Sequence, residues 1–359
     1  MDSLLFTLNA VLPIIICIVI GYVLKLLKLF PDNFWGMLNK LCFRLLLPVL
    51  LFKNIYDIAD IRALGEYWQV ILFCAIAIIA IFFIGLLIVI FFIKDDKQKG
   101  VILQCVFRSN YAIIGIGLIQ LLASNFSNSE YVTAVGIGAV ISAISIPIFN
   151  ILAIISLSIF VKEENGTKPS AKEIFIKICK NPLIIGVLSG IVVLCIRALI
   201  PYDVTHVVTT TLKNGVEVVE ESDIRTYAFK ISDNIPLLYT TIKWIAQTAS
   251  PIALIALGGA FSFKAVSKLK YQIILGTSLR ILVVPVLALL VAYFMGFRNI
   301  YFPALIALFG TPVAVSSAPM SYEMNNDGEL AGQLVVWTSI LSAFSLFLII
   351  FTSSRLGIL

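Results

Sequence analysis

Pro13-Ile-Ile-Ile-Cys-Ile-Val-Ile-Gly21 and Pro182-Leu-Ile-Ile-Gly-Val-Leu-Ser-Gly190 are two copies of one pattern: a proline, seven mostly apolar residues and a glycine, at the start of a long hydrophobic run. Each is followed by a second run with an internal proline, Pro48 in Leu45-Leu-Leu-Pro-Val-Leu-Leu-Phe52 and Pro251 in Ser250-Pro-Ile-Ala-Leu-Ile-Ala-Leu-Gly-Gly259. The interval from Pro13 to Pro182 is 169 positions and that from Pro48 to Pro251 is 203, so the later copy carries 34 more residues between its first two runs. Composition marks the same residues independently, because Pro201 to Pro236 is the one long polar stretch of the chain. Two related membrane halves in one chain point to a transporter.

Of the 359 residues, 60% are hydrophobic and 13% charged, with a mean hydropathy of +1.04. A soluble domain with a charged surface does not reach these values, so the chain reads as an integral membrane protein. The formal charge of +6 fits basic cytoplasmic loops, and nucleic acid is not an expected partner. Cys17, Cys42, Cys74, Cys105, Cys179 and Cys195 stand singly in or beside apolar runs without metal-ligand spacing. They read as small packing residues, with no disulfide framework, metal or cofactor. The first run lacks a basic leader and is too long for a signal-peptide core, so it is expected to remain as a membrane helix.

Runs of about 20 apolar residues, the length of a membrane-crossing helix, fall at roughly 5–27, 35–56, 68–93, 101–122 and 133–161, and again near 181–200, 237–262, 271–295, 302–323 and 332–353. Lysines gather after runs one, three, five and seven: Lys25 and Lys28; Lys94, Lys97 and Lys99; Lys162, Lys168, Lys172, Lys177 and Lys180; Lys264, Lys268 and Lys270. The positive-inside rule then puts both termini outside. Five helices per half make the halves opposite in orientation, an inverted repeat. The expected organisation is 1–161 as the first repeat, 162–180 as a cytoplasmic linker and 181–359 as the second repeat, with an extracytoplasmic insertion at about 203–235. Alternating β-branched residues around Asn214-Gly215 predict a hairpin in that insertion. It reads either as a cap or as a partner surface.

Runs four and nine differ from ordinary spanning helices. Run four holds Arg108-Ser-Asn-Tyr-Ala-Ile-Ile-Gly115-Ile-Gly117, and run nine holds Gly310-Thr-Pro-Val-Ala-Val-Ser-Ser-Ala-Pro319. Glycine frees the backbone and proline removes a helix donor, so both runs are expected to break near mid-membrane, at Gly115–Gly117 and Thr311–Ser317. They hold the same place in each half, where discontinuous helices form transporter binding sites. Asn110, Tyr111, Gly115, Gly117, Thr311, Pro312, Ser316 and Ser317 are therefore the expected substrate-binding residues. A positive half-helix end suits a carboxylate. Pro48, Ser250, Pro251, Arg108 and Arg280 are expected to support the breaks. Arg108 and Arg280 lie within roughly ten residues of a cytoplasmic helix end, as Arg44 does, and are expected to snorkel, with attraction of an anion from that side as the alternative.

An enzyme is not expected. The single histidine, His206, lies in the insertion, and the chain has no HExxH pair and no phosphate-binding GxxxxGK[ST] loop.

The residues resemble the auxin efflux carrier family. The resemblance is carried by Leu12-Pro13 with Gly21-Tyr22, Leu45–Pro48 with Leu51-Phe52, Asn110 through Gly115, Asn181-Pro182-Leu183 and Ser250–Leu254 with Gly258-Gly259. It continues in Arg280–Pro285, Pro312–Val315 and Asn326-Asp327. It covers essentially the whole chain apart from the insertion, which is unusually long for the family. The resemblance implies ten helices in two inverted five-helix repeats, with helices four and nine crossing at their breaks near Asn110 and Pro312. It also implies elevator-like alternating access for an organic anion. Gly117 stands where the family has a proline, and Ser316 where it often has asparagine.

The sequence thus predicts an all-α integral membrane protein, a secondary transporter of a small organic anion such as a dicarboxylate, in the cytoplasmic membrane. The bilayer is its surroundings and a homodimer is compatible with it. An uncoupled facilitator and a membrane sensor using the external hairpin are the alternatives.

Overall fold

The computed structural model describes residues 2–57, 63–124, 126–161, 170–200, 202–213, 216–227 and 229–359. Its helices follow the apolar runs. In the first half these are α1 (Asp2–Leu26), α2 (Asn33–Tyr56), α3 (Trp68–Phe92), α4 (Asp96–Phe107), α5 (Tyr111–Leu122) and α6 (Asn128–Ser158). After them, α7 (Ala171–Lys180) meets α8 (Pro182–Leu199) at a 65° bend. The chain ends with α9 (Pro236–Ala260), α10 (Lys270–Phe294), α11 (Phe302–Gly310), α12 (Ser317–Glu323) and α13 (Gly328–Arg355).

Among the described residues, α2, α3, α6, α10 and α13 are each long and apolar enough to cross a membrane, and α7 with α8 forms a sixth candidate span. Runs four and nine fall outside that group because each is divided: α4 stops before α5, and α11 before α12. In the polar insertion, β1 (Tyr202–Lys213) pairs antiparallel with β2 (Val216–Tyr227), with Lys213 opposite Val216. The expected turn Asn214-Gly215 and residues 162–169 of the linker lie outside the described residues.

Sequence signals account for several helix ends. Asn181 accepts from Leu183 N–H at 2.9 Å, and Pro182 follows at the first helical position, where its missing N–H costs nothing. Ser127 with Glu130 opens α6, and Ser170 with Glu173 opens α7, each as a reciprocal capping box. Two prolines are accommodated by a widened turn. Ahead of Pro48 the helix runs as a π-turn from Cys42 to Leu46, and ahead of Pro285 from Leu279 to Val283. A proline ring clashes with the carbonyl four residues earlier. Here those carbonyls belong to Arg44 and Ile281, inside the wider turns.

The repeated glycines mark where backbones touch. A Cβ on Gly258 would lie 1.9 Å from Ile18 O, and one on Gly21 would lie 2.0 Å from Ile255 O, so α1 and α9 pack backbone against backbone. In the same way, a Cβ on Gly186 would lie 2.4 Å from Pro48 O, and one on Gly190 would lie 3.1 Å from Phe52 O, so α8 packs on α2. The first long helix of each half is thus seated on the second long helix of the other.

Candidate substrate site

The breaks in runs four and nine face each other. The backbone of Ser109 bridges Val313 in antiparallel fashion, and Asn110 N–H donates to Pro312 O at 2.8 Å. Val313 N–H is held in turn by Thr338 Oγ1 of α13 at 3.3 Å. Two interrupted helices therefore satisfy part of each other's backbone, the condition for irregular chain at membrane depth.

The break in run nine lies at Thr311–Ser316, close to the expected position. The break in run four does not lie at Gly115–Gly117. It falls at Arg108–Asn110, followed by a π-turn from Tyr111 to Gly115 and then regular helix through Gly117. The cause is tertiary: Ser109 and Asn110 pair with the facing break, and those contacts take the place of continued helix there. Gly117 is exposed, and a Cβ on it would meet nothing within 4 Å. Gly115 instead makes room for the ring of Tyr111, 2.8 Å from where its Cβ would sit. Tyr111 is buried and donates to Gly138 O of α6 at 2.8 Å, so its hydroxyl is directed at α6.

Where the breaks meet, the buried side-chain atoms Ser109 Oγ, Asn110 Nδ2 and Ser317 Oγ have no hydrogen-bond partner. Seven other buried side-chain atoms among the described residues, Gln104 Oε1 and Ser339 Oγ among them, also lack a partner; what sets Ser109 and Asn110 apart is the cavity beside them. A cavity of about 30 Å³ lies beside Arg108, Ser109, Asn110 and Ser316, roofed by Leu47, Leu50 and Leu51 of α2 and walled by Asn150 of α6. That is room for one or two waters, so the site is closed over in this conformation. Ser316 reaches the cavity, whereas Thr311 Oγ1 turns back to Ala307 O at 2.9 Å and Pro312 contributes its carbonyl. Pro48 belongs to the roofing helix. Ser250 and Pro251 lie on α9, among neither the cavity residues nor the paired breaks.

The buried arginines do not snorkel. Arg280 is fully buried and donates to Thr311 O at 2.7 and 3.0 Å, Phe309 O at 3.1 Å, Val106 O at 3.3 Å and Leu308 O at 3.4 Å. These are the carbonyls that end α11 and α4, where half-helix dipoles are negative. A cation there neutralises both C-terminal ends and leaves the N-terminal end of α5 facing the cavity. Arg108 is 3% exposed and bonds to Asn150 Oδ1 at 2.8 Å and Met320 Sδ at 3.3 Å. Arg44 does reach out, with its side chain 62% exposed and 3.6 Å from Glu323. Sequence reasoning passed over Asn150, although an asparagine three residues beyond Pro147 in an apolar run is a visible signal.

Two other concavities differ in chemistry. A groove of about 730 Å³ between α3 and α10 is lined by outward-facing apolar residues such as Leu72, Ile76 and Leu287, and suits lipid. A cleft of about 450 Å³ near the C-terminal end of α12 mixes polar and apolar walls, with Lys25, Asp32, Asn39 and Glu323 beside Trp35 and Ala260.

A family model described as Membrane transport protein matches residues 6–350, nearly the whole chain. No curated protein matches it. The extent of that match, over a helical chain with membrane-length apolar helices and two paired helix breaks, means that the chain belongs to the auxin efflux carrier family of membrane transport proteins.

Proposed function

We propose that this protein is a secondary transporter that carries a small organic anion across the cytoplasmic membrane by elevator-like alternating access, with the paired breaks as its substrate site. The observation that carries this reading is the set of unpartnered buried groups where the breaks meet, Ser109 Oγ and Asn110 Nδ2 at the N-terminal end of α5 and Ser317 Oγ at the start of α12. All three can donate to an anion, and the helix end adds positive potential. The leucine roof from α2 fits a carrier whose site is covered in one state and exposed when the two parts shift.

The ten-span count takes α4 with α5 as one span and α11 with α12 as another, alongside α1, α8 and α9. The reciprocal seating of α1 on α9 and α8 on α2 supports a two-fold relation between the halves, and five spans per half with the lysine pattern make that relation inverted. With lysine-rich loops inside, both termini lie outside. A cysteine placed at position 168 is expected to react with impermeant reagent only from the cytoplasm, and one at position 214 only from outside. Labelling of both from one side sinks the inverted arrangement.

Asn110→Ala tests the site. It removes a donor aimed at the cavity without disturbing Asn110 N–H, so the Pro312 contact survives. A hydrogen bond to a charged group contributes about 1.5–3 kcal/mol, hence roughly ten- to hundredfold weaker apparent affinity for a transported carboxylate. Uptake into proteoliposomes, with thermal stability as a control, reads the effect. Unchanged affinity in a folded variant moves the site elsewhere.

A further inference from the structure

The two buried arginines beside the paired breaks, Arg108 and Arg280, differ in a way that bears on the substrate. Arg280 is surrounded by backbone carbonyls that it caps. Arg108 has no such cage. Among the described residues its hydrogen bonds go to one amide oxygen, Asn150 Oδ1, and one thioether, Met320 Sδ, and no carboxylate pairs with it. The thioether is a weak acceptor, and it also takes Gln104 Nε2 at 3.5 Å. A guanidinium on a residue only 3% exposed, yet held by so little, is poorly compensated. Arg108 also lines the small cavity that Asn110 and Ser316 line.

Resting on the reading of the paired breaks as the substrate site, we propose that Arg108 is the counter-charge of the transported anion: its guanidinium receives one carboxylate and so selects singly charged organic anions. The carboxylate completes a fixed cation whose protein partners are few, with Asn110 Nδ2 and the Ser109 hydroxyl, which line the same cavity, as further donors. A second anionic group finds no equivalent partner, because Arg280 is engaged by carbonyls of α4 and α11. The loaded site is electrically neutral, which lowers the barrier to moving it through apolar surroundings. The sequence expectation of a dicarboxylate is narrowed to its singly charged form or to a monocarboxylate.

The test is ligand-induced thermal stabilisation of the full-length protein in detergent, with pyruvate, benzoate and succinate as probes and benzamide as the uncharged control. Wild type is expected to be stabilised by a monocarboxylate in preference to succinate at neutral pH, and not by benzamide. Arg108→Gln is expected to weaken that binding roughly ten- to hundredfold with little change in the melting temperature of the unliganded protein. Arg108→Lys, which keeps the charge, is expected to restore part of the binding. Undiminished binding in Arg108→Gln overturns the counter-charge, and the site reading then stands or falls on Asn110→Ala. Equal stabilisation by benzoate and benzamide, or a preference for succinate, also overturns it. Failure of both Arg108 variants to fold makes the residue a packing element and overturns it. Absence of stabilisation by any carboxylate overturns the anion reading and this inference together.

Discussion

Arg280→Met is expected to lower the melting temperature and the yield of folded protein sharply, with an enlarged aggregate peak on gel filtration in detergent. The side chain is fully buried and serves four carbonyls, those of Val106, Leu308, Phe309 and Thr311. Methionine fills similar space but donates nothing. A buried acceptor stripped of its donor costs about 1–3 kcal/mol, and at least two carbonyls lose their only side-chain donor. The sum is about 4 kcal/mol, a large share of the roughly 5–15 kcal/mol that holds a domain together. Arg280→Lys keeps the charge beside the two negative helix ends but loses the planar fork, so a folded protein with a lowered melting temperature is expected. If Arg280→Met melts with wild type, the capping role assigned here is wrong.

Gly258→Val is expected to be as severe, for a steric reason. Its Cβ would fall 1.9 Å from Ile18 O, 2.8 Å from Ile18 C and 3.0 Å from Tyr22 N. Backbone atoms of a helix cannot turn aside as a side chain can, so α1 and α9 must separate along their contact. Overpacking in a core typically costs about 1–3 kcal/mol where side chains can give, and here they cannot. The control is Gly117→Leu, which has open space beside it and is expected to leave expression and melting temperature near wild type. Thermal melts of the two purified variants decide the matter, and equal loss in both refutes the packing argument.

What the sequence disclosed and what it hid follow from the range of the forces involved. Apolar run lengths, the proline and glycine pattern and the break in run nine were legible because they depend on local chemistry: Pro312, which follows Gly310-Thr311, has no N–H to continue the helix. The break in run four was misplaced because glycine content suggested Gly115 and Gly117. The actual cause is a contact between Asn110 and Pro312, 202 positions apart in the chain. Depth along a helix was readable for Arg280, but not its direction, and direction separates a snorkelling cation from one capping two helix ends. For Arg108 the missing knowledge was likewise a neighbour, since Asn150 and Met320 come from two other helices. The repeated glycines were visible as a pattern, whereas their role as backbone contact points between opposite halves appears only once the helices are assembled.

The seating of α1 on α9 also bears on how the molecule is made. Gly21 leaves the ribosome 237 residues before Gly258. At roughly 5–20 residues per second, the first helix then waits on the order of ten to fifty seconds for the surface it is shaped to meet. Through that interval its glycine face can be covered only by lipid or by the insertion machinery. The early half therefore has to survive as an unfinished intermediate, and a nascent chain arrested before α9 emerges presents that uncovered stripe to quality control.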